Sequence, residues 1–228
     1  MRIGVAIPCY KFHIPQLKRC LDSIEAQTVK PDMVMVSCSS VNPGDIPSHT
    51  YKYSFPLRII GHKERKNAAQ NRNVAATALD TDIVSFFDCD DEMHPQRIEA
   101  IKEAFSRNSS LDIVLHSFLI NEETQKPFER LPKISMQDQC LAKSPTGCAI
   151  YIHNWSERIH HSQVTVSKFV LGRIQFRETQ YYERQGSNGG NEDALFCGDI
   201  LAMPNCQNMY IFDRLSKYHQ EGTTHSTD

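Results

Sequence analysis

Three carboxylates fall within four residues at Asp88-Cys89-Asp90-Asp91, directly after the apolar run Ile83-Val84-Ser85-Phe86-Phe87. Acids this close repel one another when ionised. A divalent cation relieves the repulsion, and hard oxygen donors suit Mg²⁺ or Mn²⁺. An ion held by one or two such carboxylates can bridge to a diphosphate. The same residues also suit an acidic helix entry ahead of Pro95, because acids favour the first turn. Spacing alone leaves both readings open.

A second acidic pair, Glu192-Asp193, follows the glycine-rich stretch Gly186-Ser187-Asn188-Gly189-Gly190 and opens a helical pattern of Ala194, Leu195, Phe196, Ile200 and Leu201. The glycines suit a loop that closes on a ligand or a plain mobile connection. Of the ten histidines, His160 and His161 are adjacent, and adjacent strand residues point to opposite faces, so neither is expected to ligate a metal. Trp155 suits an acceptor platform or an interior aromatic. The eight cysteines include no C-x-x-C pair, which favours reduced thiols over a zinc site or disulfides.

The elements around these residues alternate. Ile3 to Ile7 reads as a buried strand, and Ile14, Leu17, Leu21 and Ile24 form the stripe of a helix with Pro15 in its first turn. Met33 to Val36 and Leu57 to Ile60 are further apolar runs, separated by a polar loop from Ser37 to Ser54. Asn67 to Leu79 has helical spacing, Asp82 to Phe87 is a fourth strand, and Pro95 opens a helix carrying Ile98, Ile101 and Phe105. This order predicts an α/β fold with a Rossmann-like, mostly parallel sheet. Open sheets of this kind bind ligands outside the carboxyl ends of their strands, where Asp88 to Asp91 lie. After Asp112 to Ile120 the pattern weakens, and 121 to 146 reads as an irregular excursion. Periodicity returns near Val164 to Leu171, Met209 to Phe212 reads as a late strand, and the tail Gly222 to Asp228 as frayed.

Several segments in this frame resemble the family 2 glycosyltransferases of the GT-A fold. The opening strand to Tyr10 leads into Leu17-Lys18-Arg19-Cys20-Leu21-Asp22-Ser23-Ile24-Glu25-Ala26-Gln27-Thr28, which is similar to that family's first helix. Ala69-Gln70-Asn71-Arg72-Asn73 resembles its Ala-x-x-Arg-Asn helix start. Phe86 to Asp91 looks like its D-x-D segment, and Asn191-Glu192-Asp193 like its Glu-Asp motif. The resemblance runs over nearly the whole chain.

The resemblance implies a single GT-A catalytic domain over 1–228, with 1–120 as the nucleotide-sugar half and 121–228 as the acceptor and catalytic-base half. It implies inverting transfer of a sugar from a nucleotide diphosphate sugar, by family frequency a UDP-sugar, to a hydroxyl of a glycan or other acceptor. Asp193 is then the expected base, with Glu192 second; a helix-capping role suits both as well. Asp90, with Asp88 or Asp91, is expected to hold Mn²⁺ or Mg²⁺, with His219 either a third ligand or an exposed tail histidine. Pro8 at a turn, Tyr10 on the base, Arg72, Asp88 toward the ribose, and Cys89 are expected along the donor. The family's acid after the second strand is replaced here by Val36-Ser37-Cys38-Ser39-Ser40, so the base is expected to be held by a hydroxyl of Ser37 or Ser39 or else mainly by stacking and backbone contacts. A surface ion pair is the plain alternative for Arg72.

Composition agrees with this reading and removes others. The chain has 228 residues, 40% hydrophobic and 23% charged, with a net charge of -2. These are ordinary globular values, and a general nucleic-acid binder would be basic. No stretch approaches the roughly 20 apolar residues of a membrane helix, so a soluble, cytoplasmic protein is expected, as one enzyme or one module of a longer polypeptide. Rival chemistries fit less well. A haloacid-dehalogenase-type phosphotransferase would carry its nucleophile on the first strand and a Thr or Val where Glu92 stands. A nucleotidyltransferase would want a glycine-rich basic loop in place of Pro8-Cys9-Tyr10-Lys11-Phe12. A non-catalytic sugar-nucleotide or glycan-binding module on the same scaffold is the remaining alternative.

Overall fold

A computed structural model describes residues 1–42, 46, 52–143, 150–152, 163–178 and 192–219. The glycine-rich stretch 186–190, Asn191, Trp155, His160, His161, Cys148 and the tail 222–228 lie outside the described residues. In chain order the elements are β1 (Ile3–Tyr10), α1 (Ile14–Glu25), β2 (Met33–Ser39), β3 (Leu57–His62), α2 (Ala68–Thr77), β4 (Ile83–Phe86) and β5 (Glu92–Met93). There follow α3 (Arg97–Arg107), β6 (Ile113–Leu119), β7 (Met136–Asp138), β8 (Leu141–Lys143), β9 (Ile150–Ile152), β10 (Thr165–Ser167), α4 (Lys168–Leu171), α5 (Glu192–Leu201) and β11 (Asn208–Lys217). Among the described residues no helix is long and apolar enough to cross a membrane.

The main sheet runs β3-β2-β1-β4-β10-β6-β11-β5, with β7 also on β11; β8 and β9 form a separate pair. β3, β2, β1 and β4 are parallel, as are β6 and β11. β10 is antiparallel to both β4 and β6, so it sits as a reversed strand in the middle of the sheet. The predicted mostly parallel α/β architecture is therefore present.

Buried helix faces follow the predicted stripes. α1 buries Leu17, Cys20, Leu21 and Ile24, and α3 buries Ile98, Ile101 and Phe105 with Arg97. The end of α1 is fastened to the start of α3 by the buried Gln27 amide: Nε2 donates to His94 O at 2.7 Å and Oε1 accepts from Ile98 N at 3.0 Å. That fixes where the chain enters α3 after the acidic turn. α2 opens on a capping box, with Asn67 Oδ1 accepting from Gln70 N and Gln70 Oε1 from Asn67 N. Its inward face carries Asn71, Arg72 and Asn73, which is why its apolar periodicity is weak.

Four expectations need correction. Pro8 is not at a turn but inside β1, opposite Ser37, and the chain leaves the sheet only after Tyr10. There β1 pairs with β4 only from Ile3 to Ala6, so the N–H that proline lacks falls beyond the last rung on that side. The excursion 121–146 holds a 3₁₀ turn at Asn121–Gln125 and the short strands β7 and β8. The periodic segment near 164–171 divides into β10 and a one-turn helix. The late strand runs ten residues, Asn208–Lys217, with register shifts between Ile211 and Lys217.

Candidate active site

The two acidic motifs meet on one arginine. Arg72, on the inward face of α2 and 4% exposed, donates from Nη2 to Asp88 Oδ1 at 2.9 Å and from Nη1 to Glu192 Oε1 at 2.7 Å. Burial draws the guanidinium's pKa down, but the carboxylates of Asp88, Glu192 and Asp193 outweigh that and hold it above its ordinary value. It is therefore a permanent cation. Its Cζ lies 5.3 Å from the centre of the Phe176 ring, which stacks on Phe196 of α5 at 3.9 Å. Phe86, the last residue of β4, packs edge-on against both rings. One aromatic trio thus sits under the strand end that bears Asp88 and the helix that bears Glu192 and Asp193. Arg72 is not the surface ion pair that the plain alternative described.

Around the acidic turn the charges are uneven. Asp91 is fully buried; its Oδ1 accepts from His219 N at 3.0 Å, while Oδ2 has no hydrogen bond of normal geometry. Burial, then Asp88 and Asp90, push the Asp91 carboxyl well above the usual carboxylate range. Asp90 is raised too, by burial and by Asp88, and His13 and Arg19 offset part of it. Arg19 Nη2 donates to the Asp90 carbonyl, holding the turn from α1. His219 follows β11; its Nε2 lies 2.9 Å from Glu92 Oε1. The Tyr218 phenol is raised by burial and then by the charges of Asp91, Asp88, Asp90 and Asp193.

The other predicted residues separate into two sets. Tyr10 lies at the carboxyl end of β1, edge-on to Phe12 at 5.4 Å and with the Arg65 guanidinium 5.9 Å from its ring. It is half-buried, whereas Pro8, Ser39 and Cys89 are buried. Ser39 is fully buried, and its hydroxyl donates to Lys66 O at 3.2 Å and accepts from Asn71 Nδ2 at 3.1 Å. Ser37 Oγ donates to Asn71 Oδ1 at 2.9 Å. Both serines are thus occupied by one asparagine, which corrects the expectation that either hydroxyl replaces the missing carboxylate. The Cys89 side chain is buried in the core with Cys9 and Cys38, so only its backbone faces the turn. All seven cysteines among the described residues are free.

Sequence reasoning missed Asn71, Arg19, His13, Tyr218 and Arg97. Asn71 lies inside the quoted helix motif, and its burial follows from the capping box that sets the helix phase. Arg97 and Tyr218 carry no local signal, because their positions depend on long-range pairing.

Carboxylates suit Mg²⁺ or Mn²⁺, and the acidic turn carries a repulsion that a cation would relieve. Among the described residues no three His, Cys, Asp or Glu side chains converge as a finished metal cage. Magnesium sites of the phosphate-binding kind need none, since one or two carboxylates, water and the phosphates complete them. Asp88 and Asp90 are only partly buried and fit that donor set. Asp91 is directed inward to His219 N, and His219 would have to leave Glu92 to ligate.

Residues 4–167 match the family model described as glycosyl transferase family 2. A curated relative, an uncharacterized glycosyltransferase of Haemophilus influenzae, is 26% identical over 116 residues, covering 50% of this chain and 38% of its own. Among solved structures, TarS 1-349 of S. aureus in complex with UDP-GlcNAc superposes with a TM-score of 0.69 at 17% identity, over 100% of this chain and 61% of that one. The mannosyltransferase PcManGT of Pyrobaculum calidifontis, in complex with GDP-Man and Mn²⁺, gives 0.65 at 16% identity over 98% and 58%. These likenesses carry the GT-A fold. The chain spans about three-fifths of these solved structures and a smaller share of the curated relative.

Proposed function

Because the chain belongs to glycosyl transferase family 2, matched over most of its length, we propose that it moves a sugar from a nucleotide diphosphate sugar to a hydroxyl of a glycan or other acceptor, with inversion. The donor is proposed to be a UDP-sugar. The observation that carries the reading is the shared guanidinium: Arg72 holds Asp88 at 2.9 Å and Glu192 at 2.7 Å, so the donor acids and the base helix form one site.

Asp193 takes the proton of the acceptor hydroxyl as its oxygen attacks the anomeric carbon opposite the departing diphosphate. Glu192 is hydrogen-bonded to Arg72 at 2.7 Å, and Asp193 is assigned the base role. Asp193 Oδ1 accepts from Ala194 N at 2.7 Å, so the carboxylate is oriented by its own helix start. Asp88 and Asp90 would hold Mn²⁺ or Mg²⁺, which would supply Lewis-acid stabilisation of the diphosphate. Arg72 places a fixed cation beside that charge. Tyr10 offers a ring face at the rim for the base. The Mn²⁺ and nucleotide sugars named for the two solved relatives support the cofactor and donor class.

A thermal-shift screen of nucleoside diphosphates and sugar nucleotides with Mn²⁺ or Mg²⁺ tests the donor site. A ligand at 100 times its dissociation constant adds about 2.7 kcal/mol of stability. A UDP-compound is expected to raise the melting temperature only when metal is present. If no nucleotide raises it, the donor assignment fails.

A further inference from the structure

α1 grips the acidic turn and the residues after it by their main chain. Arg19, Ser23 and Gln27 follow one another at intervals of four, along one face of α1 and the turn beyond its end. Each reaches a backbone group between residues 90 and 94. Arg19 Nη2 donates to Asp90 O. Ser23 Oγ, which donates to Cys20 O at 2.6 Å, accepts from Met93 N at 2.9 Å. Gln27 Nε2 donates to His94 O at 2.7 Å.

The three rungs differ. Ser23 and Gln27 are neutral, and they hold β5 and the approach to α3. Of the three, Arg19 alone is charged and alone grips a residue of the acidic turn. The other two acids of the turn are fixed by their carboxylates: Asp88 Oδ1 accepts from Arg72 at 2.9 Å, and Asp91 Oδ1 from His219 N at 3.0 Å. Asp90 is fixed by its carbonyl instead, so its carboxylate is not committed to that hold. The turn itself is closed by a long bond, Asp91 N to Asp88 O at 3.3 Å. Three like charges push such a turn open. A guanidinium on the Asp90 carbonyl opposes that opening and sets a cation beside the acids.

We propose that Arg19 is a positioning residue for Asp90: its hold on the Asp90 carbonyl fixes the direction of the carboxylate that takes the divalent ion. Arg19 acts through Asp90 and not on the ion or the donor. The inference rests on the donor site proposed above.

The test titrates uridine diphosphate into the full chain by calorimetry, once in Mn²⁺ and once in chelator. The readout is the gain in affinity that Mn²⁺ confers, with the melting temperature measured beside it. Arg19→Met keeps the packing of the stem and loses the bond and the charge. It is expected to cut the gain about tenfold, the lower end for a group that supports a metal-binding carboxylate, with affinity in chelator held within about twofold. Arg19→Gln, polar and too short to reach the carbonyl, carries the same expectation and serves should Arg19→Met fail to fold. Arg19→Lys keeps a cation that can donate to the carbonyl and is expected to recover most of the gain. Ser23→Ala removes a neutral rung and is expected to lower the melting temperature while keeping the gain. An unaltered gain in Arg19→Met and Arg19→Gln, or no recovery in Arg19→Lys, would overturn the inference alone. So would an equal loss of gain in Ser23→Ala, because loosening α1 would then suffice. A fall in chelator with the gain kept would also overturn it, since Arg19 would then serve the diphosphate directly. An unaltered protein that gains nothing from Mn²⁺ would overturn the metal reading of the turn, and one that binds no uridine diphosphate would overturn the donor site; the inference falls with either.

Discussion

Asp88 and Glu192, from opposite halves of the chain, are bound to the same guanidinium, at 2.9 and 2.7 Å from Arg72. That contact joins the two acidic motifs into a single electrostatic unit. The arginine is 4% exposed. Removing it leaves two carboxylates facing each other without their cation. Arg72→Ala is expected to destabilise the fold by about 3 kcal/mol, the lower end for a broken buried pair because both acids retain some solvent. Arg72→Lys should keep part of the stability but lose most transfer, since an ammonium cannot span both carboxylates. Chemical denaturation and turnover, measured on the same samples, check both.

Glu192 and Asp193 are neighbours with different duties, and their amides should separate them. Glu192→Gln weakens one of the two Arg72 contacts and should lower stability and turnover together. Asp193→Asn should leave melting temperature and donor affinity close to the unaltered protein. A matched fall in stability for both would place Asp193 among the structural acids.

Gly4 lies where β1 runs under the end of α2. A Cβ there would meet Thr81 Oγ1 at 2.7 Å and the Leu79 methyls at 2.8 and 2.9 Å, all on packed side chains. Gly4→Ala is expected to cost about 1–3 kcal/mol by overpacking. Nothing at the site touches Gly4, so per folded molecule donor affinity should hold. Urea unfolding paired with a donor titration measures the two separately.

His116 and His94 are held neutral, His116 well below its usual 6.5 by burial and by Arg97, His94 lowered by burial. In the unfolded chain both regain ordinary behaviour. Above 6.5 neither state takes up a proton and their effect on stability is nil. As pH falls below 6.5 the unfolded state binds protons that the folded state refuses, so stability is lost. Each histidine contributes a slope of up to about 1.4 kcal/mol per pH unit. His116→Gln, whose amide oxygen can still accept from Arg97 Nε, should flatten the acid limb between about pH 6.5 and 5. An unchanged limb would remove His116 from that role.

Much of this was written locally in the chain. The stripe Leu17, Cys20, Leu21 and Ile24 predicts α1, and the run before Asp88 predicts the strand that delivers the acidic turn. Gln27, part of a quoted motif, turns out to tie α1 to α3, so the motif encodes a physical joint. Pro8 misled because a proline normally marks the end of a strand, whereas here β4 has already stopped pairing beside it. Ser39 misled because a hydroxyl reads as available until its partners are seen, and Asn71 comes from another element. β10 was invisible as a separate strand: three residues carry too little periodicity, and only pairing with β4 and β6 defines it.

The most direct test compares the Asp193→Asn variant with the unaltered protein in donor binding and in transfer under metal-saturated conditions. The expected result is donor affinity within about twofold and transfer reduced by roughly 10²–10⁴, the range that general-base catalysis supplies. Transfer at the unaltered rate by the folded variant would contradict the account, because no other group in it removes the acceptor's proton.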